Sequence, residues 1–243
     1  MDRRTVIGLG GALAAGAMIA PGVRLIAAPK QTEASGDTRW AMLIDASKCG
    51  SDCTACTEAC ATENNIPQLE DPDRQIQYIR KIEIKDKSAK RPTMSLPVLC
   101  NHCEYPPCQD VCPTNATFKR KDGLVLVDKH RCIGCRYCMI ACPYKARSLV
   151  YSENETPQEQ LNPEVPIRAK GVVEKCSFCV HLIDKGEQPA CVVACNSKEG
   201  GAAMVFGDLN DPDSEISKRV QSAKTQTIRA DLGLKPHVFY ENV

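Results

Sequence analysis

The sequence has few aromatic residues and almost no net charge. Its 243 residues include 4 Phe, 6 Tyr and 1 Trp, and 31 Lys and Arg against 30 Asp and Glu give a formal net charge of +1. A balanced chain of this kind offers no electrostatic case for binding nucleic acid or an anionic membrane surface. We also find no Ser–His–Asp set, no phosphate-binding loop and no G-x-G-x-x-G motif, and therefore no substrate site of a common enzyme class. With so few aromatic side chains, we expect something besides apolar burial to stabilise the fold.

The one long apolar run lies near the N-terminus, directly after a pair of arginines. Arg3 and Arg4 precede 18 uncharged residues from Val6 to Val23. This pattern is typical of a twin-arginine signal, so we interpret residues 1–35 as an export segment. The small-residue cleavage motifs lie inside the apolar run, and 18 such residues can just span a bilayer, so an uncleaved N-terminal anchor is the alternative. The signal predicts a periplasmic location at the cytoplasmic membrane, and export after folding with the metal already bound.

Sixteen cysteines contrast with this sparse composition, and they fall into four groups of four with none left over. Group one is Cys49, Cys53, Cys56 and Cys60; group two is Cys100, Cys103, Cys108 and Cys112; group three is Cys132, Cys135, Cys138 and Cys142; group four is Cys176, Cys179, Cys191 and Cys195. A secreted disulfide scaffold could pair all sixteen, but neighbours at C-x2-C spacing are poor partners and the chain is long for a disulfide-stabilised mini-domain. We therefore interpret the cysteines as metal ligands.

Group three has the spacing of a bacterial ferredoxin. Its C-x2-C-x2-C-x3-C-P run ends at Pro143; three such thiolates surround one [4Fe–4S] cluster and the fourth ligates a second cluster.

Group one, KCGSDCTACTEAC, has an extra residue in its first gap and Ala61 in place of the proline, so we expect a working site with a loosened first loop. Zinc is an alternative for group four, whose C-x2-C-x11-C-x3-C spacing gives two separated pairs.

Because each fourth cysteine crosses to another cluster, the groups must pair. Groups two and three are close in sequence, with a turn at Asp122-Gly123 and a strand over Leu124–Val127 between them, as in a small two-cluster ferredoxin. In the nested hypothesis the first cluster takes Cys49, Cys53, Cys56 and Cys195; the second takes Cys176, Cys179, Cys191 and Cys60; the third takes Cys100, Cys103, Cys108 and Cys142; the fourth takes Cys132, Cys135, Cys138 and Cys112. A tandem pairing of group one with two and three with four stays open, and Cys60→Ser would separate the two.

The predicted fold class is α+β, a duplicated bacterial ferredoxin-like fold. An inner two-cluster module (97–151) is nested in an outer two-cluster module (36–96 plus 152–210), and a C-terminal tail (211–243) is expected to dock on a neighbouring subunit.

Local patterns predict the remaining elements. Alternating apolar residues predict strands over 39–45 and 76–84. The Pro- and Glu-rich stretch 152–166 predicts a surface loop, and Ser214 is the expected N-cap of a short helix.

Other residues near the cysteines give weaker signals. His102 and His181 lie inside groups two and four and could ligate iron, but a full set of cysteines favours a polar or packing role. Five cations flank cysteines and could raise cluster potentials, although such charges are more often simply solvated. They are Lys48, Arg131, Arg136, Lys145 and Lys175.

From about Trp40 onwards the chain resembles the four-cluster ferredoxin-like subunits of membrane-associated respiratory oxidoreductases. The stretches that carry the resemblance are CNHCEYPPCQDVCPTNA, DGLVLVDKHRCIGCRYCMIACPY, KCSFCVHLIDKGEQPACVVAC and FGDLNDPDS. The family includes iron–sulfur subunits of dimethyl sulfoxide, polysulfide and tetrathionate reductases, the formate-dependent nitrite reductase partner and the HybA-type hydrogenase subunit. Its cysteine groups pair in the nested manner. The export signal and CTACTEACATENNIP look most like the periplasmic iron–sulfur subunits of the Dsr membrane complex of dissimilatory sulfur metabolism.

The resemblance implies a non-catalytic electron-transfer subunit. Four [4Fe–4S] clusters would connect an integral membrane, quinone-interacting subunit of the NrfD/DsrP type with redox partners, among them a periplasmic cytochrome c subunit. The equivalent subunit of a tetrathionate, polysulfide or nitrite reductase or of a hydrogenase complex is the alternative. A self-contained enzyme that reduces a sulfur compound would need an open iron site, and no cysteine is missing. A structural zinc protein would be colourless, whereas an iron–sulfur protein is brown.

Overall fold

The computed structural model describes residues 35–85, 93–166, 168–198 and 203–243. The predicted export segment, apart from its last residue, lies outside these ranges. Within them, no helix combines the length and the apolar character needed to cross a bilayer.

The largest sheet has four strands in the order β8-β1-β10-β9. Its central strand β1 (Trp40–Asp45) runs antiparallel to β8 (Met204–Asp208) and parallel to β10 (Val238–Glu241), which in turn pairs with β9 (Thr225–Gln226). Both faces of β1 are buried, because Met42 and Ile44 enter the main core while the alternate residues pack under a helix. The strand expected over 39–45 is therefore confirmed.

Strand β10 places part of the C-terminal tail in the chain's own main sheet. Val238 and Tyr240 are fully buried in the chain's own sheet, and the Tyr240 hydroxyl donates a hydrogen bond to the Pro97 carbonyl at 3.1 Å. Residues 211–243 are thus not a free docking segment over their whole length. The physical reason is that alternating apolar side chains at 238 and 240 complete the core that β1 begins.

Within the described ranges, three short antiparallel pairs accompany this sheet. They are β2 (Ile79–Ile84) with β3 (Met94–Leu99), β4 (Thr117–Lys119) with β5 (Val125–Val127), and β6 (Ser148–Leu149) with β7 (Val173–Glu174). The strand expected over 76–84 begins only at Ile79, and the one expected at Leu124 begins at Val125. Mixed helices and small sheets place the protein in the α+β class.

The described residues form six short α-helices, most of which carry or follow cysteines. They are α1 (Ala55–Glu63), α2 (Pro107–Asp110), α3 (Tyr137–Ala141), α4 (Val180–Ile183), α5 (Ala190–Asn196) and α6 (Glu215–Ser222). Three 3-10 turns cover Ala46–Lys48, Gln158–Gln160 and Ala230–Leu232. The predicted cap of α6 is confirmed, because the Ser214 side chain accepts a hydrogen bond from the Ser217 amide.

Candidate iron–sulfur centres

The first set of thiols combines group one with the end of group four. Helices α1 and α5 pack against each other, and a cavity of about 290 Å³ lies beside them. Its lining includes Cys49, Cys53, Cys56 and Cys195. Burial and the charges of Cys49 and Cys195 raise the pKa of Cys56 to about 11. The fold therefore brings these four sulfurs to one place.

The loosened loop between Cys49 and Cys53 is organised by a lysine from β2. Lys81 Nζ donates hydrogen bonds to the carbonyls of Gly50 at 2.5 Å, Ser51 at 3.1 Å and Cys53 at 2.6 Å. Three carbonyls of this loop, which is one residue longer than in the ferredoxin spacing, therefore accept hydrogen bonds from the same ammonium group. These contacts hold the longer loop in one conformation.

The second set joins Cys60, at the end of α1, to the other three cysteines of group four. All four side chains are buried: Cys60, Cys176, Cys179 and Cys191. The Asn64 amide nitrogen lies 3.7 Å from Cys60 Sγ and 3.8 Å from Cys179 Sγ. Burial, followed by the charges of Cys176 and Cys191, holds the pKa of Cys60 well above its usual value.

The third and fourth sets line two further cavities. One is lined by Cys100, Cys103, Cys108 and Cys142, the other by Cys112, Cys132, Cys135 and Cys138. Burial and the charges of Cys100 and Cys108 raise the pKa of Cys103 to about 12. Gly134, in the loop of the fourth set, has a φ of +68°, and a Cβ there would lie 2.0 Å from the Gly171 carbonyl oxygen. Only glycine allows this close approach.

Thiols of successive sets lie close enough to change one another's pKa. Cys56 of the first set adds to the raised pKa of Cys60 in the second. Burial and then the charge of Cys100, in the third set, raise the pKa of Cys176, in the second, to about 12. Between the third and fourth sets, the buried Arg147 donates a hydrogen bond to Cys108 Sγ at 2.9 Å, and the Thr117 amide donates to Cys112 Sγ at 3.5 Å.

The chemistry of these donors fits iron–sulfur clusters. All sixteen thiols are free of disulfides, and none is fully exposed. Ionised thiolates this deeply placed repel one another and need a strongly positive group between them, which an iron–sulfur core supplies. Among the described side chains, no three His, Cys, Asp or Glu could hold a single metal ion together. One zinc ion needs sulfurs about 3.8 Å apart, whereas a [4Fe–4S] core binds each thiolate through its own iron atom.

The two histidines near the cysteines have other partners. His102 is fully buried; its Nδ1 accepts a hydrogen bond from the Val125 amide at 3.0 Å and its Nε2 donates to the Cys176 carbonyl at 3.1 Å. His181 Nε2 lies 2.7 Å from a Glu63 carboxylate oxygen. Both therefore have the polar, packing role that the sequence favoured.

The five flanking cations differ from one another, and the sequence missed two more important ones. Lys175 is buried and donates to the carbonyls of Val125 and Cys176, while the Arg131 side chain is 66% exposed. Arg147 and Lys81 were not singled out, because they lie 5 and 21 residues from the preceding cysteine. An arginine inside the otherwise small and apolar stretch ARSLV was the one available signal.

Comparison with known proteins gives consistent matches. Residues 92–160 match the 4Fe-4S dicluster domain family. The Hdr-like menaquinol oxidoreductase iron–sulfur subunit 1 of Archaeoglobus fulgidus is 45% identical, with 99% of this chain and 97% of that protein covered. A tetrathionate reductase subunit of Salmonella typhimurium is 38% identical over 95% of this chain and 84% of its own length, and NrfC of Escherichia coli is 33% identical over 83% and 79%. The chain thus belongs to the ferredoxin-like iron–sulfur subunits of membrane oxidoreductases, as a non-catalytic electron-transfer subunit that carries four [4Fe–4S] clusters.

Proposed function

We propose that this subunit conducts electrons along its four cluster sites in the order first, second, third, fourth, with the nested sets as ligands. The proposal rests mainly on one observation: three separate cavities are each lined by the four cysteines of one nested set. The tandem pairing would instead group Cys60 with group two. The three thiols that raise the pKa of Cys60 most after burial all come from group four, which supports nesting.

The chain's own residues prepare these sites in two ways. When bound, each cluster supplies one-electron redox chemistry. The fold buries all four thiols of the second set and all of the third set except the half-buried Cys142, whereas the first and fourth sets each have three half-buried thiols. Electrons thus enter and leave at the two ends, while the middle of the path is shielded.

The protein surface beside the fourth site carries a cluster of exposed apolar side chains. Ile133, Tyr137 and Ile140 are 67%, 59% and 81% exposed beside the cysteines of that set. Exposed apolar side chains in such a cluster typically mark an interaction site. We propose that another subunit of the complex, which exchanges electrons with the fourth site, covers them.

The complex and its location are also proposals. The twin-arginine pair supports a position on the periplasmic side of the cytoplasmic membrane. The similarity to an iron–sulfur subunit of a menaquinol oxidoreductase supports an integral membrane partner of the NrfD/DsrP type that handles quinone, with a periplasmic cytochrome c subunit as a further partner. We propose the Dsr complex of dissimilatory sulfur metabolism. The similarity to the tetrathionate reductase subunit favours the tetrathionate-type complex as the second candidate.

The ligand sets are tested by iron analysis and EPR on anaerobically purified holoprotein. About 16 iron and 16 sulfide per chain are expected for four intact sites. Cys60→Ser and Cys176→Ser should alter the same EPR component, and the double variant should lose no more than one cluster. The tandem pairing predicts instead that Cys60→Ser shares its component with Cys103→Ser.

The docking surface is tested by one surface substitution. Ile140→Glu should keep the full iron content and lose stable association with the membrane complex. Leu232→Glu is the matched control, since Leu232 is 40% exposed and lines none of the cysteine cavities described above. Unchanged association of the Ile140 variant would contradict the proposed surface.

A further inference from the structure

Arg147 is a buried cation placed between two cluster sites. Its side chain is 6% exposed and lines the cavity of the third set. One guanidinium nitrogen donates to Cys108 Sγ at 2.9 Å and the other to Thr117 Oγ1 at 3.1 Å. The Thr117 amide in turn donates to Cys112 Sγ, a member of the fourth set, at 3.5 Å.

The charge of Arg147 is balanced by sulfur rather than by carboxylate. Arg168, which is equally buried, pairs instead with Glu174, and the half-buried Arg120 pairs with Asp122 and Asp184. In the described part of the chain, no Asp or Glu forms an ion pair with Arg147. A buried, unpaired guanidinium would cost several kcal/mol, and arginine cannot lose its proton.

We propose that Arg147 is a positioning residue that acts through Cys108 and, by way of Thr117, through Cys112 to raise the reduction potentials of the third and fourth sites together. Reduction of a bound [4Fe–4S] cluster adds one electron and no proton, so the net negative charge at the thiolates grows by one. A fixed positive charge and N–H···S hydrogen bonds stabilise that reduced state. One residue shared by both sites keeps their potentials from separating. The inference rests on the proposed function, in which these two sites adjoin.

The test is an EPR-monitored redox titration of the full holoprotein with dithionite as reductant. Arg147→Met removes the charge and the donors, Arg147→Lys keeps the charge, and Arg131→Met removes an equal charge from a side chain that is next to Cys132 but 66% exposed. In Arg147→Met, we expect the equilibrium constant for reduction at both sites to fall at least tenfold, a shift of about 60 mV for one electron. Arg147→Lys should shift less, and Arg131→Met should leave all potentials in place because solvent screens its charge.

Signals are assigned with Cys103→Ser and Cys132→Ser, which mark the sites of groups two and three under either pairing. Failure of the nested ligand sets would appear instead in the comparison of Cys60→Ser with Cys176→Ser described above, and not as an unmoved potential. Unchanged potentials in a fully loaded Arg147→Met variant, or an equal shift of all four sites, would overturn the proposal. If Arg147→Met loses iron, Arg147→Lys decides the question. Retention of about 16 iron per chain in Arg147→Lys supports a role for the positive charge. Loss of iron in both variants would contradict the proposal, because the charge alone would then not be enough.

Discussion

Replacing Lys81 with methionine should loosen the first cluster site and leave the other three intact. Lys81 Nζ holds three carbonyls of the lengthened loop, at 2.5, 3.1 and 2.6 Å. A hydrogen bond from a charged donor contributes about 1.5–3 kcal/mol when buried, and we take about 1 kcal/mol for each here because Lys81 is only half-buried. Methionine keeps the length of the side chain, so the loss is about 3 kcal/mol, which corresponds to a roughly hundredfold weaker hold on the loop.

The assay is the release of iron from the holoprotein under a chelator, followed by EPR. Lys81→Met should release one corner iron and give a [3Fe–4S] signal while the wild-type protein retains its full complement. Lys48→Met is the matched control, because Lys48 directly precedes Cys49 but its side chain is 46% exposed and pairs with Asp45 at 3.7 Å. Equal iron release from both variants, or none from Lys81→Met, would refute the reasoning.

Three further predictions concern the scaffold. Gly134→Ala would bring a Cβ to 2.0 Å from the Gly171 carbonyl oxygen and should prevent loading of the fourth site in iron analysis, whereas Gly233→Ala, at a φ of +65° in open space, should cost only about 1 kcal/mol in urea unfolding. Burial lowers the pKa of His237 from 6.5 to about 4, so the unfolded chain takes up a proton that the folded chain excludes. Stability should therefore fall by about 3 kcal/mol as the pH drops from about 6.5 to 4, and His237→Gln should flatten that dependence in unfolding titrations. Deleting residues 236–243 removes β10 from the middle of the main sheet and should yield no folded, loaded chain; a soluble product with full iron content would contradict this.

The sequence predicted best what is decided within a few residues. The alternation along β1 and the Ser214 cap are local patterns, and both reappear in the structure. That part of the C-terminal tail joins the main sheet was not predicted, because pairing of β10 with β1 joins residues almost 200 positions apart; docking of the tail on a neighbouring subunit stays a prediction. The contacts of Lys81 and Arg147 could not be predicted for the same reason. Lys81 donates to the Cys53 carbonyl and Arg147 donates to Cys108 Sγ, and only folding brings these distant residues together.

Helices α1 and α5 each carry two cysteines that belong to different sets. Cys56 and Cys60 lie one turn apart on α1, and Cys191 and Cys195 lie one turn apart on α5. Filling either of the first two sites with the proposed ligands fixes both helices, so the ordering entropy for the other site has already been lost when its cluster arrives. Cluster insertion at these two sites should therefore be cooperative during maturation, with half-loaded chains scarce. A chain that has not received these clusters would lack order in both helices at once. Cellular quality control could therefore distinguish loaded from unloaded protein by this one large structural difference.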